Sequence, residues 1–237
     1  MPRFEGKRVF VTGASSGIGA ATVALLASEG ASVVGADISP VDGVVRCDVT
    51  DPESVTHAIT GAVDQLGGLD VCVNVAGLNL MSAFEDLSVE FLQRHLDVNL
   101  IGPMLVTQAA LPHLKRTKGN VVTVASISGL QGQPYNSAYC ASKAGVLLMM
   151  RALAVEFAAD GVRVNCVCPG GVDTPMPVSA GNTLPAGADF SLLTRLTGAI
   201  PGFMPPSDIA EAIAYLASDA AASVTGASLV VDRGTLW

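Results

Sequence analysis

Lys7–Thr12 (K-R-V-F-V-T) is a short β-branched run that passes straight into T-G-A-S-S-G-I-G, Thr12–Gly19, and then into a helical pattern reaching about Glu29. A strand, a glycine-rich turn and a helix in direct succession leave the chain few folds. Backbone N–H groups at the head of such a helix make a site where a pyrophosphate can bind. Gly13 permits the tight turn, Gly17 lets backbone approach a phosphate, and Gly19 lets the helix pack on the strand. Glycines at such a junction can also be purely structural, and the end of the second strand bears on the choice.

Ala31–Asp37 reads as that second strand, and it ends in an acid eighteen residues after Gly19. A dinucleotide fold places there the carboxylate that takes the adenine ribose 2′-hydroxyl. The next connection, Ile38–Gly43, holds a Pro and a Gly and is too short for a helix, so the crossover is expected to shrink to a turn. Further strands are expected at 44–47, 69–75, 121–125, 162–168 and 227–232. Helices are expected at Pro52–Leu66, which T-D-P-E starts well, at about 88–96, on to about Lys115, from Asn136 or Ser137, and from Pro206 or Ser207 to about Ser218. Strands alternating with helices predict an α/β doubly wound parallel sheet in a single domain over residues 1–237.

The chain has 237 residues, half of them apolar and 14% charged, so a large core is available. A net charge of −8 without a Lys/Arg cluster argues against nucleic acid. No run of about 18 uninterrupted apolar residues and no signal-peptide core are present, so a cytoplasmic protein without membrane contact is expected. Cys47, Cys72, Cys140, Cys166 and Cys168 are expected as reduced, mostly buried thiols, and no metal site is expected. His57, His95 and His113 have no ligand spacing and are read as surface or packing residues.

Chemistry concentrates in V-V-T-V-A-S-I-S-G-L-Q-G-Q-P-Y-N-S-A-Y-C-A-S-K-A, Val121–Ala144. The strand delivers Ser126, and Asn136 or Ser137 can cap a helix carrying Tyr139 and Lys143. Four residues apart, Tyr139 and Lys143 share a helix face. An ammonium beside a phenol favours the phenolate, and Ser126 both donates and accepts hydrogen bonds. The set can move a proton on or off an alcohol oxygen.

With these pieces placed, the chain resembles the short-chain dehydrogenase/reductase family over nearly its whole length. The cofactor turn matches Thr12, Gly13, Ala14, Ser15, Ser16, Gly17, Ile18 and Gly19. The adenine-contacting acid–apolar pair matches Asp48 and Val49, and N-N-A-G is present as Asn74, Val75, Ala76 and Gly77. The active-site asparagine matches Asn99 and the catalytic serine Ser126, thirteen residues before Tyr139 in Y-C-A-S-K. The P-G turn that contacts the nicotinamide amide matches Pro169 and Gly170, with Val172 and Thr174 following. Four departures accompany these matches: Val75 for an Asn, a missing helix after Asp37 that leaves the adenine side more open, Asp232-Arg233-Gly234 for D-G-G, and a Pro-rich lid at 175–206.

The resemblance implies a Rossmann-type fold and hydride exchange between a nicotinamide and a carbinol carbon. Tyr139 is the implied proton carrier. Lys143 lowers its pKa and holds the nicotinamide ribose, Ser126 stabilises the substrate oxygen, and Asn99 holds a water. The expected cofactor is NAD, because Asp37 would repel a 2′-phosphate and neither Ser15, Ser16 nor Ile38 offers a cation. The expected substrate is an uncharged alicyclic or steroidal secondary alcohol or ketone. Met176, Val178, Leu184, Phe190, Leu192, Leu193, Leu196, Ile200, Phe203 and Met204 of the lid, with Leu78, Leu80, Leu130 and Tyr135, are expected to wall the pocket, and Arg195, opposed by Asp189, is the one lid cation. Two alternatives are an NADPH-dependent 3-oxoacyl-(acyl carrier protein) reductase and a non-catalytic dinucleotide sensor; the intact Ser126–Tyr139–Lys143 set argues against the sensor. The helices after Asn99 and Tyr139 are more apolar than one sheet-facing stripe requires. Members of the family commonly associate through these helices, so a homotetramer is expected.

Overall fold

The computed structural model describes residues 2–194 and 197–236. The strands are β1 (Arg8–Thr12), β2 (Ser32–Asp37), β3 (Val44–Arg46), β4 (Val71–Asn74), β5 (Asn120–Val124), β6 (Arg163–Pro169) and β7 (Ser228–Val231). They form one parallel sheet in the order β3-β2-β1-β4-β5-β6-β7. The order reverses between β1 and β4, which opens a crevice beyond the carboxyl ends of those strands.

Helices α1 (Gly17–Ser28), α2 (Pro52–Leu66), α3 (Val89–Leu96), α4 (Gly102–Thr117) and α5 (Ser137–Glu156) connect the first six strands, and α6 (Pro175–Gly181), α7 (Phe190–Leu193) and α8 (Pro206–Ala217) come after β6. The expected helix at Pro52–Leu66 has those bounds: the Asp51 side chain accepts from Glu53 N–H, and Pro52 opens the first turn. No helix interrupts the run from Asp37 to Val44, and Val44 N–H closes a turn onto Val41. Asn136 holds the N-cap position of α5 but makes no side-chain capping bond, contrary to the expectation.

Both sheet faces are covered. In β1, Phe10 packs into the cluster built with α2, α4 and α5, while Val9 and Val11 face α1 and α8. Successive strand residues point to opposite faces, so a doubly covered sheet needs apolar residues at every position. The lid region, whose sequence shows no helical period, contains the short α6 and α7.

Candidate active site

At the carboxyl ends of β1, β4, β5 and β6 lies a cavity of about 1920 Å³. Its floor is the turn after β1. Gly13 has φ 69, and a β-carbon on it would lie 2.8 Å from Ala76 N, so the two strand ends touch through glycine. A β-carbon on Gly19 would collide with the Gly13 carbonyl, which lets α1 begin directly behind the turn. Ser16 at the N-cap makes no side-chain capping bond, so the first N–H groups of α1 stay available to an anion. This cradle fits the pyrophosphate of a dinucleotide.

At the end of β2, Asp37 accepts from Ser15 N–H (3.1 Å) and Ser39 N–H (3.0 Å) and lines the same cavity. Asp48 and Val49 line it from the end of β3, and Ala76 and Gly77 from the end of β4. Ser16, Gly17 and Ile18 border it on the turn, and Pro169, Gly170, Val172 and Thr174 border it beyond β6.

Three expected positions stand behind this wall. Asn74 is 2% exposed and donates to Thr107 and Thr123 hydroxyls at 3.1 Å each. Its side chain thus ties β4 to α4 and β5, while the N–H groups of Val75 and Ala76 donate to Thr12 Oγ1 (3.1 and 3.2 Å). Ser15 has a buried, unpaired Oγ and takes part through its backbone bond to Asp37. Asn99 is fully buried in a π-helical turn, Asp97–Ile101, between α3 and α4. Its amide donates to Leu78 O (2.9 Å) and Ser142 Oγ (3.0 Å), and its carbonyl accepts from Leu78 N–H (2.9 Å). The side chain is thus engaged in holding the Leu78 loop against α5.

Ser126, Tyr139 and Lys143 meet at the cavity and are 8%, 6% and 4% exposed. Lys143 Nζ donates to Val124 O (3.0 Å) and lies 5.7 Å from the Tyr139 ring centroid. Burial pushes the Tyr139 phenol up to about 12, and the hydrogen bond with Ser126 only partly opposes it. Burial brings Lys143 down to about 8. In the free site the phenol is thus raised by burial rather than lowered as expected. Tyr139 is held as a protonated acid.

The site also contains side chains that no motif marks. Ser126 Oγ donates to Ser128 Oγ (3.0 Å), and Ser128 lines the cavity; the S-I-S spacing is its one signal. His95 is a fully buried packing residue, and its ring lies 6.5 Å from that of Tyr139. Arg46, in register with Asp37 across β2 and β3, donates to Ile38 O (2.9 Å) and brings to the adenine end a cation that Ser15, Ser16 and Ile38 do not offer. Arg94 and Arg233 line the cavity as further cations, whereas Arg195 and Leu196 lie outside the described residues.

A family model described as Enoyl-(Acyl carrier protein) reductase matches residues 13–235. The cis-4-hydroxycyclohexanecarboxylate dehydrogenase of Sinomonas cyclohexanicum is 41% identical over 247 residues, covering 98% of this chain and 97% of that protein. The 3-oxoacyl-[acyl-carrier-protein] reductase FabG of Thermotoga maritima is 36% identical over 248 residues, covering 98% of each. A short chain dehydrogenase from Mycobacterium paratuberculosis bound to NAD superposes with a TM-score of 0.90 at 29% identity, covering 98% of both chains. One from Burkholderia cenocepacia J2315 in complex with NADP does so with 0.87 at 30%, covering 98% of this chain and 99% of that one. The chain belongs to the short-chain dehydrogenase/reductase family and is an oxidoreductase that acts on alcohol or ketone groups with a nicotinamide cofactor.

Proposed function

We propose that the protein interconverts a secondary alcohol and its ketone on an alicyclic body, with NAD(H) as the hydride partner. One observation carries this reading: Ser126, Tyr139 and Lys143 converge on a cavity whose remaining wall is largely apolar, from Leu78, Met81, Met176, Leu184, Phe190 and Phe203. Such a wall favours a hydrocarbon body with one reacting oxygen. The 41% identity to a dehydrogenase named for a hydroxycyclohexanecarboxylate substrate supports it.

The nicotinamide, when bound, supplies or accepts the hydride. The chain's residues handle the proton. In reduction, the Tyr139 hydroxyl gives its proton to the carbonyl oxygen while Ser126 donates a hydrogen bond to the same oxygen. In oxidation, Tyr139 first gives up its own proton to solvent, and its phenolate oxygen then takes the carbinol proton as the hydride passes from carbon to the bound nicotinamide, leaving a ketone. Lys143 sets the positive potential that lets the phenol release its proton. The described residues 175–194 and 197–206 act as the lid that excludes water.

The preference for NAD rests on Asp37, whose carboxylate faces the cavity at the adenine end and opposes a 2′-phosphate. The rival reading, a carrier-protein reductase, draws on the 36% identity to FabG. Its acidic partner needs a basic mouth, and the rim cation Arg94 stands with Glu90 and Asp97 on the same cavity wall. A panel of cyclic alcohols, cyclic ketones and a 3-oxoacyl thioester, assayed with NAD(H) and NADP(H), tests both readings. Cyclic substrates turned over with NAD(H) are expected; turnover of the thioester alone with NADPH would contradict the proposal.

A further inference from the structure

Arg233 stands where the family pattern has glycine, and its backbone keeps the conformation that glycine favours, with φ 55. A β-carbon is disfavoured in that region, so an arginine there needs a reason. The tail that carries it folds over the nicotinamide end of the cavity: a β-carbon on Gly170 would lie 2.9 Å from Asp232 Cα. The same tail clasps the end of the lid. Ile200 N–H donates to Arg233 O (3.1 Å), and Ala199 N–H to Gly234 O (3.2 Å).

The side chain is half-buried and lines the cavity beside Ile200, Pro201, Gly202 and Phe203. Its Nη1 donates to Pro201 O (3.1 Å) and Gly202 O (3.4 Å), which fixes the plane of the guanidinium. Nε and Nη2 make no bond among the described residues, and no carboxylate there pairs with Arg233. The adjacent Asp232 already accepts from Gly234 N–H through Oδ1 (2.9 Å) and from Leu236 N–H through Oδ2 (2.8 Å). Arg94 differs: it is exposed, and Glu90 and Asp97 stand one turn away on its own helical segment.

A guanidinium without a counter-ion among the described residues, held in one plane and set among apolar side chains, is a receptor for a planar anion. We infer that Arg233 recognises a carboxylate on the substrate, so that the preferred substrate is an alicyclic hydroxy acid or oxo acid rather than the uncharged alcohol expected from sequence. This inference rests on the alcohol–ketone reading above and adds the anionic group and the residue that selects it.

Steady-state kinetics with NAD and a matched pair, 4-hydroxycyclohexanecarboxylate and 4-hydroxycyclohexanecarboxamide, tests it. The wild type is expected to favour the acid in kcat/KM by about tenfold or more, chiefly through KM. Arg233→Gln, which keeps N–H groups for the Pro201 and Gly202 carbonyls but removes the charge, is expected to bring the ratio to about one. Arg233→Lys is expected to keep part of it. A binding readout needs no turnover: cyclohexanecarboxylate should raise the melting temperature of the wild-type NAD complex more than cyclohexanecarboxamide does, and should lose that advantage in Arg233→Gln. Equal use of acid and amide by the wild type would overturn the inference while leaving the alcohol–ketone reading in place. So would a preference that survives Arg233→Gln and disappears in Arg94→Gln. A carboxylate-specific shift dependent on Arg233, with no cyclic alcohol or ketone turned over, would support the anion site and overturn the alcohol–ketone reading instead.

Discussion

His95 and Asn99 lie four residues apart on one face of the helix that runs from α3 into the π turn, and they hold the same loop at alternate residues. Asn99 grips both the N–H and the C=O of Leu78, at 2.9 Å each, and His95 Nε2 accepts from Leu80 N–H at 3.2 Å. The His95 Nδ1 contact with Phe91 O (2.9 Å) is a donation, so the ring must be neutral to hold the loop. Leu78 and Leu80 line the cavity. The pitch of one helix thereby sets a wall of the substrate site.

Burial holds the His95 pKa below its ordinary 6.5. A base with a depressed folded pKa contributes stability above its unfolded pKa, and that contribution falls away as pH drops from about 6.5 toward the folded value. His95→Gln, which keeps an acceptor and a donor but cannot titrate there, is expected to flatten the acid-side fall in urea stability. Parallel curves for wild type and variant between pH 7 and 5 would contradict this assignment.

Lys143 carries the same burden at higher pH. Burial depresses its pKa from 10.5 to about 8, so the charged form costs stability in full below about pH 8. The cost fades between about pH 8 and 10.5 and is absent above. Lys143→Met is expected to abolish turnover yet raise unfolding free energy at pH 7 by up to roughly 3 kcal/mol, a gain that shrinks at pH 10. Denaturant titrations at the two pH values check it. A loss of stability at pH 7 would mean that the bond to Val124 O outweighs desolvation.

Asp37 is expected to decide cofactor choice. Asp37→Ser should lower the NAD-over-NADP ratio of kcat/KM by about tenfold or more, since the repelling carboxylate is gone and Arg46 stands across β2 and β3 from that position. An unchanged ratio would place the ribose elsewhere.

The outer faces of α4 and α5 leave Met104, Leu148 and Val155 at 40%, 68% and 81% exposure. These apolar residues are expected to be covered by other copies of the chain in a homotetramer. Light scattering should give four copies for the wild type and a smaller species for Leu148→Asp. A monomeric wild type at micromolar concentration would remove the proposal.

Local signals account for what is legible in the sequence. Pro52 and Asp51 mark the start of α2, and the short span from Ile38 to Gly43 leaves no room for a helix. The motifs place Ser126, Tyr139 and Lys143 together because each comes at a strand end or on a helical repeat. The inward turn of the Asn74 side chain is not legible, because a motif names a residue without saying which side of the pleat its side chain takes. The phenol shifts against expectation because spacing conveys proximity to Lys143 but not depth of burial. Arg233 joins the cavity through a tail that returns over Gly170 from more than sixty residues away in sequence, a contact that no local pattern encodes. The Pro-rich lid, with two short helices among its described residues, carries no period to read.

Every proton step proposed for this site depends on the Tyr139 oxygen. Turnover of a cyclic secondary alcohol by Tyr139→Phe, with NAD binding measured alongside, puts that dependence to the test. A fall in kcat of about 100-fold or more is expected, with NAD affinity retained. A variant that binds NAD and keeps more than about a tenth of the wild-type rate would show that another group carries the proton, because a loss that small lies below general acid–base catalysis.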